Sequence, residues 1–326
     1  MRLCSALIAA TALAAAVSLP AHAPANAQDA FPSRPVTMIV PFAPGGSSDV
    51  IARIVGEELS RALGQRIVHE NVAGAGGTLG LARVAAATPD GYTIVQGNAG
   101  TNASSYALYP DLKFKPSAFM PVAMVAKTTS LIALRKDFPA KTLAEFLDYA
   151  KKNPSAVRLG HAGVGSNNYI ICRSFLGAAG NIDVTLVSYR GGGPALNDAI
   201  GGHIDGVCDS ASSAAPSIQG GQVKGLVLAS ESRLASLPDV PTAAEAGVPE
   251  FQAGGWNAIF APAGTPADVI AALNKAVRKA LTGELISGRY PGLGVFVPTD
   301  AEQSPEFLQK HVDIEIEKHR KLLAAK

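Results

Sequence analysis

Two stretches decide the fold: Val36-Thr-Met-Ile-Val-Pro-Phe-Ala-Pro-Gly-Gly-Ser-Ser-Asp49 and Ile67-Val-His-Glu-Asn-Val-Ala-Gly-Ala-Gly-Gly77. In each, a β-branched run breaks into a glycine-rich turn and then into a helix. The first strand is expected over 36–42 and its helix over 48–63, where Ile51, Val55, Leu59 and Leu63 recur every four residues on one face. A second strand follows at 67–70, a helix at 78–87, the turn Pro89-Asp-Gly91 and a third strand at 92–97. Such alternation means a parallel sheet with helical crossovers. Strands that end in glycines and feed a helix start expose free backbone N–H groups and the positive end of a helix dipole, which is a place that binds anions. No phosphate-loop lysine follows either turn, so the pattern points to a carboxylate rather than a nucleotide phosphate.

Outward from this region the pattern restarts. An apolar run over 122–134 is long enough to pass between two domains. It leads to a helix at 143–151, a short strand at 157–159, the turn Gly163-Val-Gly-Ser-Asn-Asn168 and a helix stopping near Gly180. A strand at 184–189, the turn Arg190-Gly-Gly-Gly-Pro194 and a helix with Pro194 as its first residue come next. Strands at 204–208 and 223–229 complete this second α/β unit. Residues 257–260 read as a return crossing, followed by helices at 265–281 and 305–323. The expected organisation is a leader at 1–27, a first lobe built from 28–124 and 257–326, and a second lobe at 125–256 that includes the crossings. Ligands in open α/β sheets bind beyond the carboxyl ends of the strands, so two such lobes facing each other make a cleft.

Bulk composition agrees with large buried α/β cores: hydrophobic residues make up 48% of the 326 residues and charged residues only 17%. A net charge of +2 with no basic stripe sets nucleic acid aside. Arg2 followed by the uncharged Ala/Leu run of 6–19 reads as a cleavable export signal, with Ala25-Asn-Ala27 as the cleavage site and Gln28 as the new N-terminus. This predicts an exported protein. Of the three cysteines, Cys4 leaves with the signal. Cys172 and Cys208 are either joined or two buried thiols, since spacing cannot establish the separation a bridge requires.

The sequence has no G-x-S-x-G elbow, H-E-x-x-H or Walker lysine. Gly74-Ala-Gly-Gly-Thr-Leu-Gly80 places its last glycine one residue too late for the dinucleotide fingerprint. Neither a metal nor a cofactor is expected. Ser47 and Asp49 are each either helix N-caps or ligand contacts, with the cap favoured for Asp49. Phe42 either covers a ligand or packs in the core, and the glycines of the second turn either serve packing or let a ligand approach the backbone. In the second unit Gly165, Ser166 and Asn167 repeat the arrangement. Arg190 suits a bidentate carboxylate contact or a solvated surface, and Asp209 either accepts a hydrogen bond from a ligand or braces a loop. With Ala43, Gly46, Ala75, Gly76, Asn98 and Tyr169, these residues make up the candidate ligand site.

The chain resembles the periplasmic receptors of tripartite tricarboxylate transporters, the group also called Bug proteins. The resemblance spans essentially the whole mature chain and is carried by residues 34–49, Glu70-Asn71 with Gly74–Gly77, Pro89-Asp-Gly-Tyr92, Tyr189-Arg-Gly191, residues 238–247, Trp256, and Ala261-Pro-Ala-Gly-Thr-Pro266. It implies a two-lobed, type II clamshell receptor of Rossmann-like lobes, in which the first two loops act as pincers on a carboxylate and a membrane permease receives the ligand. The chain departs from the family pattern at His161-Ala162 and Tyr169, at Arg190 in place of lysine, and at Val72-Ala73, where a proline is usual. The expected partners are a small organic anion (a dicarboxylate, amino acid or aromatic carboxylate) and permease subunits, and the chain is expected to be a monomer. Two alternatives stand beside this reading: an exported hydrolase using Ser47 or Ser166 with one of His69, His161 or His203, and a receptor that reports to a membrane sensor.

Overall fold

A computed structural model describes residues 31–324. The leader and its cleavage site lie outside the described residues. Strand β1 (Val36–Val40) enters helix α1 (Ser47–Leu63), and β2 (Ile67–Asn71) leads through a tight turn into α2 (Thr78–Ala85). Strand β3 (Thr93–Asn98) ends in a π-helical turn (Gly100–Ser104) that runs into the short α3 (Ser105–Leu108). β1 pairs in parallel with both β2 and β3.

The long apolar run forms one strand, β4 (Phe119–Arg135), which starts three residues earlier than its periodicity suggests. Its first part belongs to the sheet of β1–β3; residues 130–135 belong to a second sheet. That sheet is built from α4 (Leu143–Lys152), β5 (Arg158–His161), α5 (Asn167–Ala178), β6 (Thr185–Ser188), α6 (Gly192–Ile200), β7 (Gly206–Ser210), α7 (Ala211–Gln219) and β8 (Val223–Ala229). The chain then returns to the first sheet through β9 (Gly254–Pro262), which lies between β3 and β4 and pairs with nothing in the second sheet. Helix α8 (Ala267–Ala280), α9 (Glu284–Arg289), the two-residue β10 (Val295–Phe296) and α10 (Pro305–Ala324) complete the chain.

Both faces of both sheets are covered, which is why the strands read as continuous apolar runs rather than alternating ones. Val36, Met38 and Val40 point to the layer of α1 and α8, whereas Ile39 points to the opposite layer with Leu81 of α2 and Leu308 of α10. In the second sheet Ile132 and Leu134 face α4 and α5, and Leu131 and Ala133 face α6 and α7. Cys172 of α5 and Cys208 of β7 are joined in a disulfide with Cα atoms 5.3 Å apart, which resolves the choice between bridge and free thiols.

Several elements besides β4 differ from the sequence reading. Helix α6 starts at Gly192, so Pro194 is its third residue; the N–H that proline lacks has no helical partner at that position either. Helix α7 and the π turn are not announced by any hydrophobic periodicity. Among the described residues no helix is long and apolar enough to cross a membrane.

Candidate ligand-binding site

In the first lobe, the loop between β1 and α1 is fixed from behind. Asp49 is buried, and its carboxylate accepts the Gly45 N–H (3.0 Å), the Asn71 amide (3.0 Å) and two bonds from Arg53 (2.9 and 3.0 Å). Asn71 also donates to the Phe42 carbonyl at 2.9 Å. Burial pulls the Asp49 pKa upward, but the Arg53, Gly45 and Asn71 hydrogen bonds outweigh it and hold the carboxyl below the usual aspartate range. Asp49 therefore braces the loop: both of its oxygens are bonded inside the lobe, and it does not stand at the helix cap position. The cap position is Gly46, which offers no side chain, so the first N–H groups of α1 keep no side-chain partner. Asn98 ties the end of β3 to this start, donating to Ser48 Oγ at 3.0 Å and accepting the Thr101 N–H at 3.0 Å.

The second turn has Ala75, Gly76 and Gly77 all at positive φ (47°, 63° and 96°). An alanine there costs about 1 kcal/mol, a local strain of the kind that collects at functional loops. At Gly76 a Cβ would lie 2.0 Å from the Val164 carbonyl oxygen of the second lobe, so only glycine allows the approach.

The second lobe presents three helix starts. α5 is capped by Ser166, whose hydroxyl accepts the Tyr169 N–H at 3.2 Å and donates to the Gly163 carbonyl at 2.6 Å. α6 and α7 start at Gly191 and Ser210 with no side-chain cap. Beneath them, Asn168 donates to Asp209 Oδ1 and to the Cys208 carbonyl, both at 2.9 Å. Asp209 Oδ1 also accepts the Ser210 N–H at 2.8 Å, while Oδ2 is buried without a partner. Burial raises the Asp209 pKa, against the opposing Ser213 hydroxyl, Ser210 N–H and Asn168 amide.

The lobes meet at these loops. The Ala43 N–H donates to the Arg190 carbonyl (3.1 Å), Ser104 to the Gly165 carbonyl (2.8 Å) and Tyr109 to the Val164 carbonyl (2.8 Å), and the hydroxyls of Ser47 and Ser212 share a 2.6 Å bond. Each such bond contributes about 0.5–1.5 kcal/mol. Between them lies a cavity of ≈ 20 Å³ bounded by Phe42, Gly46, Ser47, Ser48, Asn98, Thr128, Ala162, Asn167, Asn168, Gly192, Ser210, Trp256 and Asn257. That is space for about one water, so a larger ligand must part the lobes. None of these residues is charged. The starts of α1, α5, α6 and α7 all border the cavity, and three of the four lack a side-chain cap.

Of the expected site residues, Phe42, Gly46, Ser47, Asn98 and Asn167 border this cavity. Ala43, Gly165 and Ser166 sit in the interlobe contacts and the α5 cap. Ala75, Gly76 and Arg190 instead line an adjoining opening of ≈ 530 Å³ with Tyr109 and Tyr189. The Arg190 guanidinium is exposed there and has no carboxylate partner among the described residues. Tyr169 packs on the buried His161 ring, centroids 5.2 Å apart, outside the inner cavity. The candidate site leaves out Ser48, Thr128, Ala162, Asn168, Gly192, Ser210, Trp256 and Asn257, which border the cavity, and Ser212, which bonds Ser47 across it. Asn168 is the last residue of a quoted turn and could have been included, whereas Ser212 lies in the unannounced α7.

Two α/β lobes that close helix N-termini on a small uncharged cavity define a solute-binding receptor. The family model described as tripartite tricarboxylate transporter family receptor matches residues 51–316, and the chain belongs to that family. Among solved structures, MatC from Rhodopseudomonas palustris with bound malate is 41% identical with a TM-score of 0.86, covering 90% of this chain and 99% of its own. The periplasmic binding protein BugD is 35% identical with a TM-score of 0.87, over 90% and 98% of the two chains. R. palustris Rpa4515 with adipate is 30% identical with a TM-score of 0.84, over 90% and 97%.

Proposed function

We propose that this receptor captures a dicarboxylate of the malate-to-adipate size range, exported behind a leader cleaved ahead of Gln28, and passes it to a membrane permease. One carboxylate is held by the uncapped N–H groups of α1, α6 and α7. Each helix start carries roughly half a positive charge, so no arginine or lysine is needed at that end. The observation that carries the reading is this convergence of open helix starts around a cavity with no charged lining. The far end of the ligand extends toward the opening where Arg190 stands, and the buried, half-satisfied Asp209 supports the floor. The lobes, 28–124 with 257–326 and 125–256, part by rotation about β4 and the approach to β9. The receptor acts by binding without chemistry. In support, Ser47 bonds Ser212, Ser166 bonds its own turn, and among the described residues neither hydroxyl meets a histidine.

The test is a thermal-shift panel on protein unfolded and refolded to remove carried ligand, comparing C4 to C6 dicarboxylates with amino acids, aromatic acids and acetate. The expected result is a rise in melting temperature confined to the dicarboxylates, about 2.7 kcal/mol of added stability at a hundredfold excess over Kd. A rise only with aromatic or amino acids would reassign the ligand class. No rise with any acid would overturn the reading.

A further inference from the structure

The layer between the first sheet and α1 is apolar, with Met38, Ile51, Ile94, Val122 and Ile259 all buried in it. One glutamine stands among them. Gln96 follows Ile94 by two residues along β3, so it faces the same way, and it is 1% exposed. Its amide nitrogen donates to Asn257 Oδ1 at 3.1 Å, while its Oε1 is buried with no partner. An unpaired buried carbonyl is destabilising, and a methionine of similar size would not carry it. What the glutamine supplies at this place is its bond to Asn257.

Asn257 on β9 pairs directly with Asn98 on β3 and lies diagonal to Gln96, which is opposite Ile259. Both asparagines border the cavity, yet their amides are in different states. Asn98 is occupied at both ends, by Ser48 Oγ and by the Thr101 N–H. Asn257 is occupied at one: Oδ1 accepts from Gln96, and Nδ2 makes no hydrogen bond among the described residues. With its oxygen held, the end left for a ligand is a donor. We propose that Gln96 is a positioning residue for ligand recognition, turning Asn257 so that Nδ2 donates to a carboxylate oxygen seated at the helix starts. Gln96, Asn257 and the carboxylate then form one directed chain of hydrogen bonds, in which each bond strengthens the next. Freed from Gln96, the Asn257 amide can turn over and set its oxygen against the anion. This inference rests on the reading of the chain as a dicarboxylate receptor.

The experiment titrates malate and adipate by calorimetry into the refolded parent, Gln96→Met, Asn257→Ala and the double variant. In parallel, ¹⁵N–¹H spectra follow the Asn257 side-chain amide, assigned by its loss in Asn257→Ala. Each single variant is expected to bind the acids about tenfold more weakly, because a hydrogen bond to a charged group is lost or misdirected. The double variant should stay within about twofold of Asn257→Ala, since the two residues act as one unit. Ligand-free Gln96→Met should melt within about 4 °C of the parent. On titration the Asn257 amide protons should move downfield in the parent and stay in place in Gln96→Met. Full affinity in Gln96→Met, at whatever melting temperature, gives Gln96 a structural role only and overturns the inference. Losses that add in the double variant overturn it too, as does an Asn257 amide unmoved in the ligand-bound parent, a result that needs no variant to fold. Any of these with a parent that binds defeats the inference alone. A parent that binds neither acid defeats the dicarboxylate reading, and the inference falls with it.

Discussion

Helices α1 and α5 begin alike, each after a parallel strand, a glycine turn and a serine, yet they finish in opposite states. At α5 the serine is the cap: Ser166 takes the Tyr169 N–H, and the helix is then tied down by Asn168 to Asp209 and by the Cys172–Cys208 bond. At α1 the glycine is the cap. Ser47 lies one place further on and turns its hydroxyl across the cleft to Ser212, while Asp49 secures the loop from behind. A one-residue shift of serine relative to the helix start thus separates a self-satisfied scaffold helix from one with N–H groups to give. A side-chain cap and an anion compete for the same donors.

Removing what holds α5 should give the largest effect. Cys172→Ala with Cys208→Ala opens a loop of sequence separation 36, and a loss of about 3–4 kcal/mol is expected in denaturant unfolding. Asp49→Ala attacks the α1 side by leaving Arg53, Asn71 and the Gly45 N–H without their acceptor. Affinity for a bound dicarboxylate should fall by about 30–100-fold in calorimetry, the equivalent of about 2–3 kcal/mol. Gly46→Ser makes α1 resemble α5. The backbone there is extended (φ −85°) and admits serine, but its Cβ would sit 3.2 Å from the Gly192 and Gly193 nitrogens. Binding should weaken about tenfold with the melting temperature nearly unchanged.

The serine pair gives smaller and opposite responses. Ser166→Ala should cost about 1 kcal/mol of stability with affinity within about twofold. Ser47→Ala should leave unfolding unchanged and alter affinity by about threefold through the lost interlobe bond. The two braces also differ with pH. Asp49, held low, contributes stability that is complete above about pH 4 and is lost as pH falls through its depressed pKa. Asp209, held high by burial, contributes in the other sense: its advantage is full below about pH 4 and is lost as pH rises toward its raised pKa. The melting temperature of Asp209→Asn relative to the parent should therefore climb between pH 4 and 8.

The strand, glycine turn and helix alternation was legible because it is local: β1, α1, β2 and α5 follow directly from apolar spacing and glycine punctuation. Helix α7 was not, since Ala211-Ser-Ser-Ala-Ala-Pro216 has no apolar stripe and carries a proline. Its burial against β4 and β8 supplies what periodicity does not announce. The pairing of Ser47 with Ser212 spans 165 residues, and the Asn71 contact to Asp49 depends on strand register. Such contacts follow from the folded sheet order and cannot be read from spacing. Arg190, which the sequence leaves as either a carboxylate contact or a solvated side chain, stands exposed at the outer opening because its carbonyl, not its guanidinium, meets the first lobe.

The most direct measurement is a titration of backbone amide ¹⁵N–¹H resonances with malate or adipate, whichever gives the larger thermal shift. The account predicts downfield shifts at the amides of Ser47, Ser48 and Gly193, with the Tyr169 amide, already bonded to Ser166, nearly unmoved. Shifts concentrated at Tyr109, Tyr189 and Arg190, with the α1 and α6 amides unchanged, would contradict it.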